Sequence, residues 1–303
     1  MTKNNVQEFA NTQVLCIFIR SSITTSILEQ LPNLKLIITR STGYDHIDMK
    51  ATCARAITVC NTPIYATTSV AEYTLCLIMS LIRKMPEAVR GDTAHASLLQ
   101  GIEVKNRVLG VVGTGNIGKE VIKLARCFGM QIIAYDINPD NEYAKIHEYK
   151  YVTYDALLAT ADLISFHVIL NPETRHMFNI NLLSKIKKGA YIINTARGSV
   201  TDSDALVQGL QKNIIAGAAL DVLQEEDLTY AFMCGRAGIS IDNLSDLQKR
   251  ILLNNLYLMN HPAVIITPHI AFNTCEAQQR QLQTMVDIIR SWQENKVINK
   301  IKC

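Results

Sequence analysis

From Arg107 to His269 the chain alternates short, nearly continuous apolar runs with stretches of helical periodicity. The runs are RVLGVVG (107–113), QIIAYD (131–136), LISFHV (163–168), AYIINTA (190–196), AGAALDV (216–222) and AVIITPH (263–269). They are rich in β-branched residues and lack the polar–apolar alternation of a sheet with one wet face. A strand that is apolar on both faces needs helices on both sides, which is the environment of a parallel sheet. The intervening segments predict helices over 116–128, 155–161, 179–187 and 202–211. Strand and helix in succession lead to a doubly wound α/β sheet of the Rossmann kind.

The first ninety residues repeat the theme more weakly, with strand-like VLCIFI (14–19), LKLIITR (34–40) and ITVC (57–60). A chain of 303 residues is long for one domain and suits two. A helix is expected from Thr68 to about Arg90, apolar over much of its circumference and so buried in an interface. A last amphipathic helix is expected over 274–295, opened by Asn273 or Thr274. The polar segment Gln224–Pro262 lies between two core strands and reads as an insertion on the ligand side of the sheet.

Composition excludes several classes. With 30 basic against 27 acidic side chains, interspersed, the net charge is only +3 and no basic block is present for nucleic acid or a membrane surface. The polar start MTKNNVQEFA lacks a signal-like apolar stretch, and Val70–Ile82 is short and interrupted by Glu72. Eight cysteines form no CxxC and no paired framework, so a reduced, cytoplasmic setting is expected. Seven dispersed histidines with no HExxH predict no metal site.

The strongest local motif is VVGTGNIGKEV, which sets Gly113, Gly115 and Gly118 in GxGxxG register directly after a strand and at the start of a helix. The first glycine permits the tight turn, the second lets backbone approach a pyrophosphate, and the third packs helix against strand. The helix N-terminus adds N–H donors. The next strand ends in Asp136, 18 residues beyond Gly118, near the spacing of a ribose-binding carboxylate. No arginine follows in Asp136-Ile-Asn-Pro, which favours NAD over NADP.

Three further strand ends carry titratable groups: Arg197 in NTARGSV, Glu225 and Glu226 in DVLQEED, and His269 in TPHIAFNT. Open α/β sheets bind ligands along this edge. Reduction of a 2-oxo acid needs an anchor for the carboxylate, an acid to protonate the developing alkoxide, and a group to tune that acid. A guanidinium offers a fixed bidentate fork for the first. A histidine beside a carboxylate is held in one tautomer, and its protonated form is favoured near neutrality.

With these motifs in hand, the sequence resembles the D-isomer-specific 2-hydroxyacid dehydrogenases, and among them the D-lactate dehydrogenase-like branch. The resemblance runs over essentially the whole chain, through TRSTGYDHID (39–48), CNTPIYATTSVAEYT (60–74), LGVVGTGNIGKEV (109–121), FHVILNPETRHM (166–177), NTARGSVTDSDAL (194–206), AALDVLQEED (218–227) and TPHIAFNT (267–274). It implies a Rossmann domain over 92–269, a smaller flavodoxin-like substrate domain over 1–91, and a C-terminal helix over 270–303 returning to the latter.

By this resemblance Arg197, Glu226 (rather than Glu225) and His269 are catalytic. Asn116 and Ile117 would contact the cofactor in the glycine turn, and Asp136 its adenosine ribose. Val168, Ile169 and Thr174 would lie beneath the adenine and ribose. Thr195, Ala196, Arg197 and Asp221 would face the nicotinamide. The substrate carboxylate would meet backbone at Thr42 and Gly43, with Tyr65 closing over it. Ile169 stands where the family usually has proline.

The resemblance further implies that a strand–helix unit precedes this start in relatives. VLCIFI then reads as their second strand, with a missing central strand leaving two neighbouring edges exposed. The expected function is NAD-dependent D-2-hydroxyacid dehydrogenase, most simply for D-lactate and pyruvate, in a homodimer. The alternatives are a glyoxylate/hydroxypyruvate reductase and, from another class, an NAD-binding non-catalytic regulatory protein.

Overall fold

The computed structural model of the chain describes residues 6–19, 21–89, 99–235 and 240–302. Its elements begin with β1 (Val14–Ile17), α1 (Thr25–Leu28), β2 (Leu36–Thr39), α2 (Met49–Ala54), β3 (Thr58–Asn61), α3 (Thr67–Ile82) and α4 (Met85–Val89). There follow β4 (Val108–Val112), α5 (Asn116–Cys127), β5 (Gln131–Tyr135), α6 (Asn141–Ile146), β6 (Lys150–Tyr151), α7 (Tyr154–Thr160) and β7 (Leu163–Phe166). The rest is β8 (Ala190–Asn194), α8 (Ser203–Gln211), β9 (Ile215–Leu220), α9 (Glu226–Met233), α10 (Asp246–Asn260), β10 (Val264–Ile266) and α11 (Cys275–Gln293).

Two compact units result, Met1–Ala66 with Asn273–Cys303, and Thr67–Phe272. The second unit therefore starts at Thr67 and ends at Phe272, whereas the sequence reading divided the chain at 91/92 and 269/270. Residues 91 and 92, like the expected helix end at Arg90, lie outside the described residues. Helix α3 goes with the second unit because its buried stripe, Ala71, Leu75, Ile78, Leu81 and Ile82, packs against Val121 and Ile122 of α5 and against the sheet. It stops at Ile82: Lys84 is left-handed (φ 57°), and Pro86 in α4 has no N–H to continue the ladder.

In the first unit β1, β2 and β3 form a parallel sheet in sequence order. Successive residues of β2 bury opposite faces. Ile37 joins Leu28, Leu31 and Ile47, while Leu36 and Ile38 meet Cys60 and Ile288 of α11. The register Val14↔Leu36 sets VLCIFI directly beside LKLIIT. The two neighbouring edges expected to be left exposed by a missing central strand are hydrogen-bonded to each other, with no strand between them. Cys53, on α2, is disulfide-bonded, although no pairing framework was visible in the cysteine spacing.

The second unit holds a seven-stranded parallel sheet of order β10-β9-β8-β7-β4-β5-β6. Neighbouring residues again face opposite cores: Val112, Ile192 and Ala218 point into one, Val111, Ile193 and Ala219 into the other. That double burial is why the strands read as unbroken apolar runs. The order reverses at β4, whose neighbours are β5 and β7. A crevice opens outside the strand ends at such a switch point.

Two expectations fail locally. Over 179–187 only a short 3₁₀ turn forms, Ile180–Leu182, because Asn179 Oδ1 accepts from Asn181 N and Lys187 N donates to Leu158 O, away from any helix ladder. The segment 224–262 is no mere insertion. Its helix α10 packs against α8 and β10 and serves as the crossover from β9 to β10. Among the described residues no helix is long and apolar enough to cross a membrane.

Candidate active site at the sheet switch point

The glycine turn follows β4 directly. Gly113 has φ 93°, and a Cβ there would meet His167 backbone at 2.9 Å, so a side chain is barred by both conformation and space. At Gly118 a Cβ would fall 2.0 Å from Gly113 O, the close helix–strand approach expected of the third glycine. Gly115 has open space where its Cβ would be. It caps α5 with no side-chain hydrogen bond, which leaves the N–H groups of a twelve-residue helix free of a side-chain cap. This cradle, formed by Gly115, Asn116 and Ile117, fits a pyrophosphate.

Asp136 stands at the end of β5. Its Oδ2 accepts from Thr114 N (2.6 Å) and Thr114 Oγ1 (3.1 Å), and its Oδ1 from Asn138 N (2.9 Å). The carboxylate is therefore held in one orientation beside the glycine turn. Thr114 Oγ1 also pairs with Tyr151 OH at 2.7 Å. Across the switch point, β7 leads into His167, Val168 and Ile169. Ile169 is 71% exposed in the position where the family usually has proline. Thr174 closes this loop by donating to Ile169 O (2.5 Å) and accepting from Asn171 N (2.9 Å). His167 is half-buried and paired with Ser165 Oγ at 2.8 Å, and desolvation of its ring pushes its pKa down to about 3.

The catalytic candidates occupy the ends of β8, β9 and β10. Asn194, the last residue of β8, is fully buried. Its Nδ2 donates to Arg197 O (2.9 Å) and its Oδ1 accepts from Ala196 N (3.0 Å), which shapes the turn carrying Arg197. Thr195 is fixed from α3 by Thr74, with the hydroxyls 3.0 Å apart. Glu226 opens α9 after a left-handed Glu225 (φ 50°). Its Oε1 lies 2.7 Å from His269 Nδ1. Glu225 has no such contact with His269, so of the two glutamates the structure pairs Glu226 with the histidine.

His269 itself is left-handed (φ 56°), an unusual state for a side chain this large. Asp221 holds it there. Asp221 O accepts from His269 N (2.9 Å), Oδ1 from Thr267 Oγ1 (2.6 Å) and Ile270 N (3.0 Å), and Oδ2 from Ala271 N (2.9 Å). Burial pushes the Asp221 carboxyl above its usual range, opposed by these donors and by His269. With Nδ1 donating to Glu226, the other ring nitrogen, Nε2, is the one available to a ligand.

In the first unit Thr42 and Gly43 form a braced loop. Asn61 Nδ2 donates to Thr42 O (2.7 Å) and Ser41 Oγ to Gly43 O (2.6 Å). Helix α11 grips the same stretch, since Arg40 donates twice to Gln281 Oε1 (3.0 and 2.8 Å) and Gln281 Nε2 donates to Arg40 O. Tyr65 is buried behind a left-handed Ile64, and its carbonyl accepts from Arg280 Nε at 2.8 Å. The sequence reading missed Asn194, Thr114, Arg280 and Gln281. Asn194 stood in view as the polar end of an apolar run, whereas the α11 contacts of Arg280 and Gln281 span 215 and 241 residues and left no local signal.

Dinucleotide binding at the switch point, with a histidine–carboxylate pair along the same edge, is the arrangement of the NAD-dependent oxidoreductases. Comparison with known proteins narrows the class. Residues 75–271 match the family described as "D-isomer specific 2-hydroxyacid dehydrogenase, NAD binding domain". "2-hydroxyacid dehydrogenase homolog 2" of Schizosaccharomyces pombe is 34% identical over 91% of this chain and 82% of its own length. "Glyoxylate reductase" of Thermofilum pendens is 34% identical over 95% and 81%. The crystal structure of D-lactate dehydrogenase from Aquifex aeolicus, complexed with NAD and lactic acid, superimposes with TM-score 0.85. It is 32% identical and covers 96% of this chain and 86% of that one. The chain belongs to the D-isomer-specific 2-hydroxyacid dehydrogenase family and is an NAD-dependent oxidoreductase.

Proposed function

We propose that the chain reduces small 2-oxo acids to D-2-hydroxy acids, with pyruvate and D-lactate as the favoured pair, and runs the reverse oxidation. The observation that carries this reading is the 2.7 Å bond from His269 Nδ1 to Glu226. It leaves Nε2 as the ring nitrogen that can exchange a proton with substrate, at a strand end on the cofactor edge of the sheet. NADH, when held by the glycine turn and Asp136, would supply the hydride for the carbonyl carbon. His269 Nε2 donates a proton to the carbonyl oxygen as the C=O bond becomes C–OH, and Glu226 stabilises the imidazolium before that transfer. Arg197 holds and orients the substrate, its guanidinium matching the flat geometry of a 2-oxo acid carboxylate. The N–H groups at Thr42 and Gly43 receive the carboxylate, and Tyr65 encloses a small side chain. Gly113, Gly115, Asn116, Ile117 and Gly118 seat the pyrophosphate, and Asp136 accepts from the ribose hydroxyls. Val168, Ile169 and Thr174 support the adenosine, while Thr195, Ala196 and Asp221 line the nicotinamide end. The working form is a homodimer, testable by light scattering.

The test is NADH oxidation with pyruvate, phenylpyruvate, 2-oxobutyrate, glyoxylate and hydroxypyruvate, each repeated with Arg197→Ala. The expected result is fastest turnover with pyruvate, lost in the variant. Preference for glyoxylate or hydroxypyruvate would favour the second reading, suggested by the similarity to the Thermofilum glyoxylate reductase. Turnover unchanged in Arg197→Ala would overturn the mechanism.

A further inference from the structure

Helix α10 buries Ile251, Leu252, Asn255 and Leu258, a stripe that is apolar except for one amide. Asn255 is completely buried, and its Oδ1 has no hydrogen-bond partner among the described residues. An unpaired buried carbonyl is unfavourable, and a leucine of similar volume would suit the stripe better. The two donated bonds of this amide run to one place. Asn255 Nδ2 donates to Gln224 O (2.8 Å) and to Thr229 Oγ1 (2.8 Å).

These two acceptors bracket the turn that aims Glu226. Glu225, between Gln224 and Glu226, is left-handed and caps α9 without any side-chain hydrogen bond. Such a conformation in a glutamate persists only where its surroundings impose it. Backbone at Gly198 backs Leu223 and Gln224, Leu223 N donates to Glu226 Oε2 at 3.4 Å, and Gln224 Nε2 meets His176 Nε2 at 3.2 Å; the bonds on the Glu225 carbonyl itself come from α9. Thr229 N and Thr229 Oγ1 both donate to Glu225 O at 3.1 Å, and Asn255 ties that same hydroxyl to the carbonyl on the other side of the strained residue. Release of Gln224 O would let the turn relax toward ordinary dihedrals. The Glu226 carboxylate would then swing away from His269 Nδ1.

We infer that Asn255 is a positioning residue: through the first turn of α9 it sets the Glu226 carboxylate on His269. The inference rests on the proposed role of Glu226 as partner of the catalytic histidine. It gives a function to helix α10, which supplies no residue to the cofactor site, the substrate loops or the His269–Glu226 pair.

A double-mutant cycle with pyruvate and NADH tests it. Asn255→Leu is expected to lower kcat by roughly 10-fold, within the range for a misplaced catalytic group. The KM for pyruvate and the Kd for NADH should stay near wild type. In a Glu226→Gln background the same change should cost less than about twofold, because the group it positions has already been disabled. Thr229→Val, which removes the bridging hydroxyl at constant volume, should repeat the pattern and supplies the cycle if Asn255→Leu does not fold. An equal loss in both backgrounds would show that the amide acts only on general packing and would overturn the inference alone. Full turnover of Glu226→Gln by itself would overturn the catalytic reading of Glu226, and this inference with it.

Discussion

Replacement of Gly198 by alanine probes the whole arrangement with one methyl group. Gly198 follows Arg197, and its backbone lies against the segment that leads to Glu226. A Cβ at 198 would stand 2.0 Å from Leu223 C and O and 2.4 Å from Gln224 N, against the 3.4 Å at which ordinary contact begins. The two loops must therefore part by about 1.4 Å, and both neighbours are backbone with no side chain to swing aside. A displacement near 1 Å in a reacting group costs on the order of 100-fold in rate. Overpacking of this kind also costs ~1–3 kcal/mol in stability. Gly198→Ala is expected to lower kcat for pyruvate reduction about 100-fold. NADH affinity should be preserved, because the glycine turn at 113–118 belongs to a different loop. Steady-state kinetics, an NADH fluorescence titration and a melting curve separate the three effects. A folded Gly198→Ala protein with wild-type kcat would refute the claim that the Arg197 turn and the Glu226 turn are held in register by backbone contact.

Arg197→Ala should abolish turnover while leaving NADH affinity nearly unchanged, since the glycine turn and Asp136 carry most of the dinucleotide contacts and Arg197 meets only its nicotinamide end; a large rise in the NADH Kd would argue against that division. Asp136→Ala should raise the NADH KM roughly 10-fold or more, the loss of hydrogen bonds to a charged acceptor worth ~1.5–3 kcal/mol, and should improve the relative use of NADPH. Unaltered preference between the two cofactors would count against Asp136 as the ribose ligand. His167 gives a pH prediction. Burial lowers its pKa from 6.5 to about 3, so the unfolded chain binds a proton that the folded chain refuses as pH falls below 6.5. Stability contributed by neutral His167 is full above pH 6.5 and drains away toward pH 3 at about 1.4 kcal/mol per pH unit. The Tm of His167→Gln should therefore fall less than that of the wild type between pH 7 and 5, and parallel curves would refute the assignment.

What the sequence determined by itself was what short-range chemistry dictates. Runs such as RVLGVVG and AYIINTA announce strands buried on both faces, because alternate residues must enter two different cores. GTGNIG announces a turn that tolerates no Cβ at Gly113 and a helix that starts where a phosphate can sit. Arg197, the pair Glu225–Glu226 and His269 were legible as polar groups just beyond apolar runs, their edge of the sheet followed from parallel topology, and the choice of Glu226 came only from the family resemblance.

The tertiary structure decided everything that depends on partners distant along the chain. It put β1 directly beside β2, joined α3 to the second unit, and reduced 179–187 to a single turn by giving its backbone other partners. It turned 224–262 into a crossover in which the buried Asn255 amide of α10 reaches back 31 residues to Gln224. It also braced the Arg40 loop from Gln281, 241 residues away. Periodicity and composition report which side of an element is apolar. They carry no record of which distant group completes a hydrogen bond, and in this protein those bonds hold the strained turns at Glu225 and His269 in place.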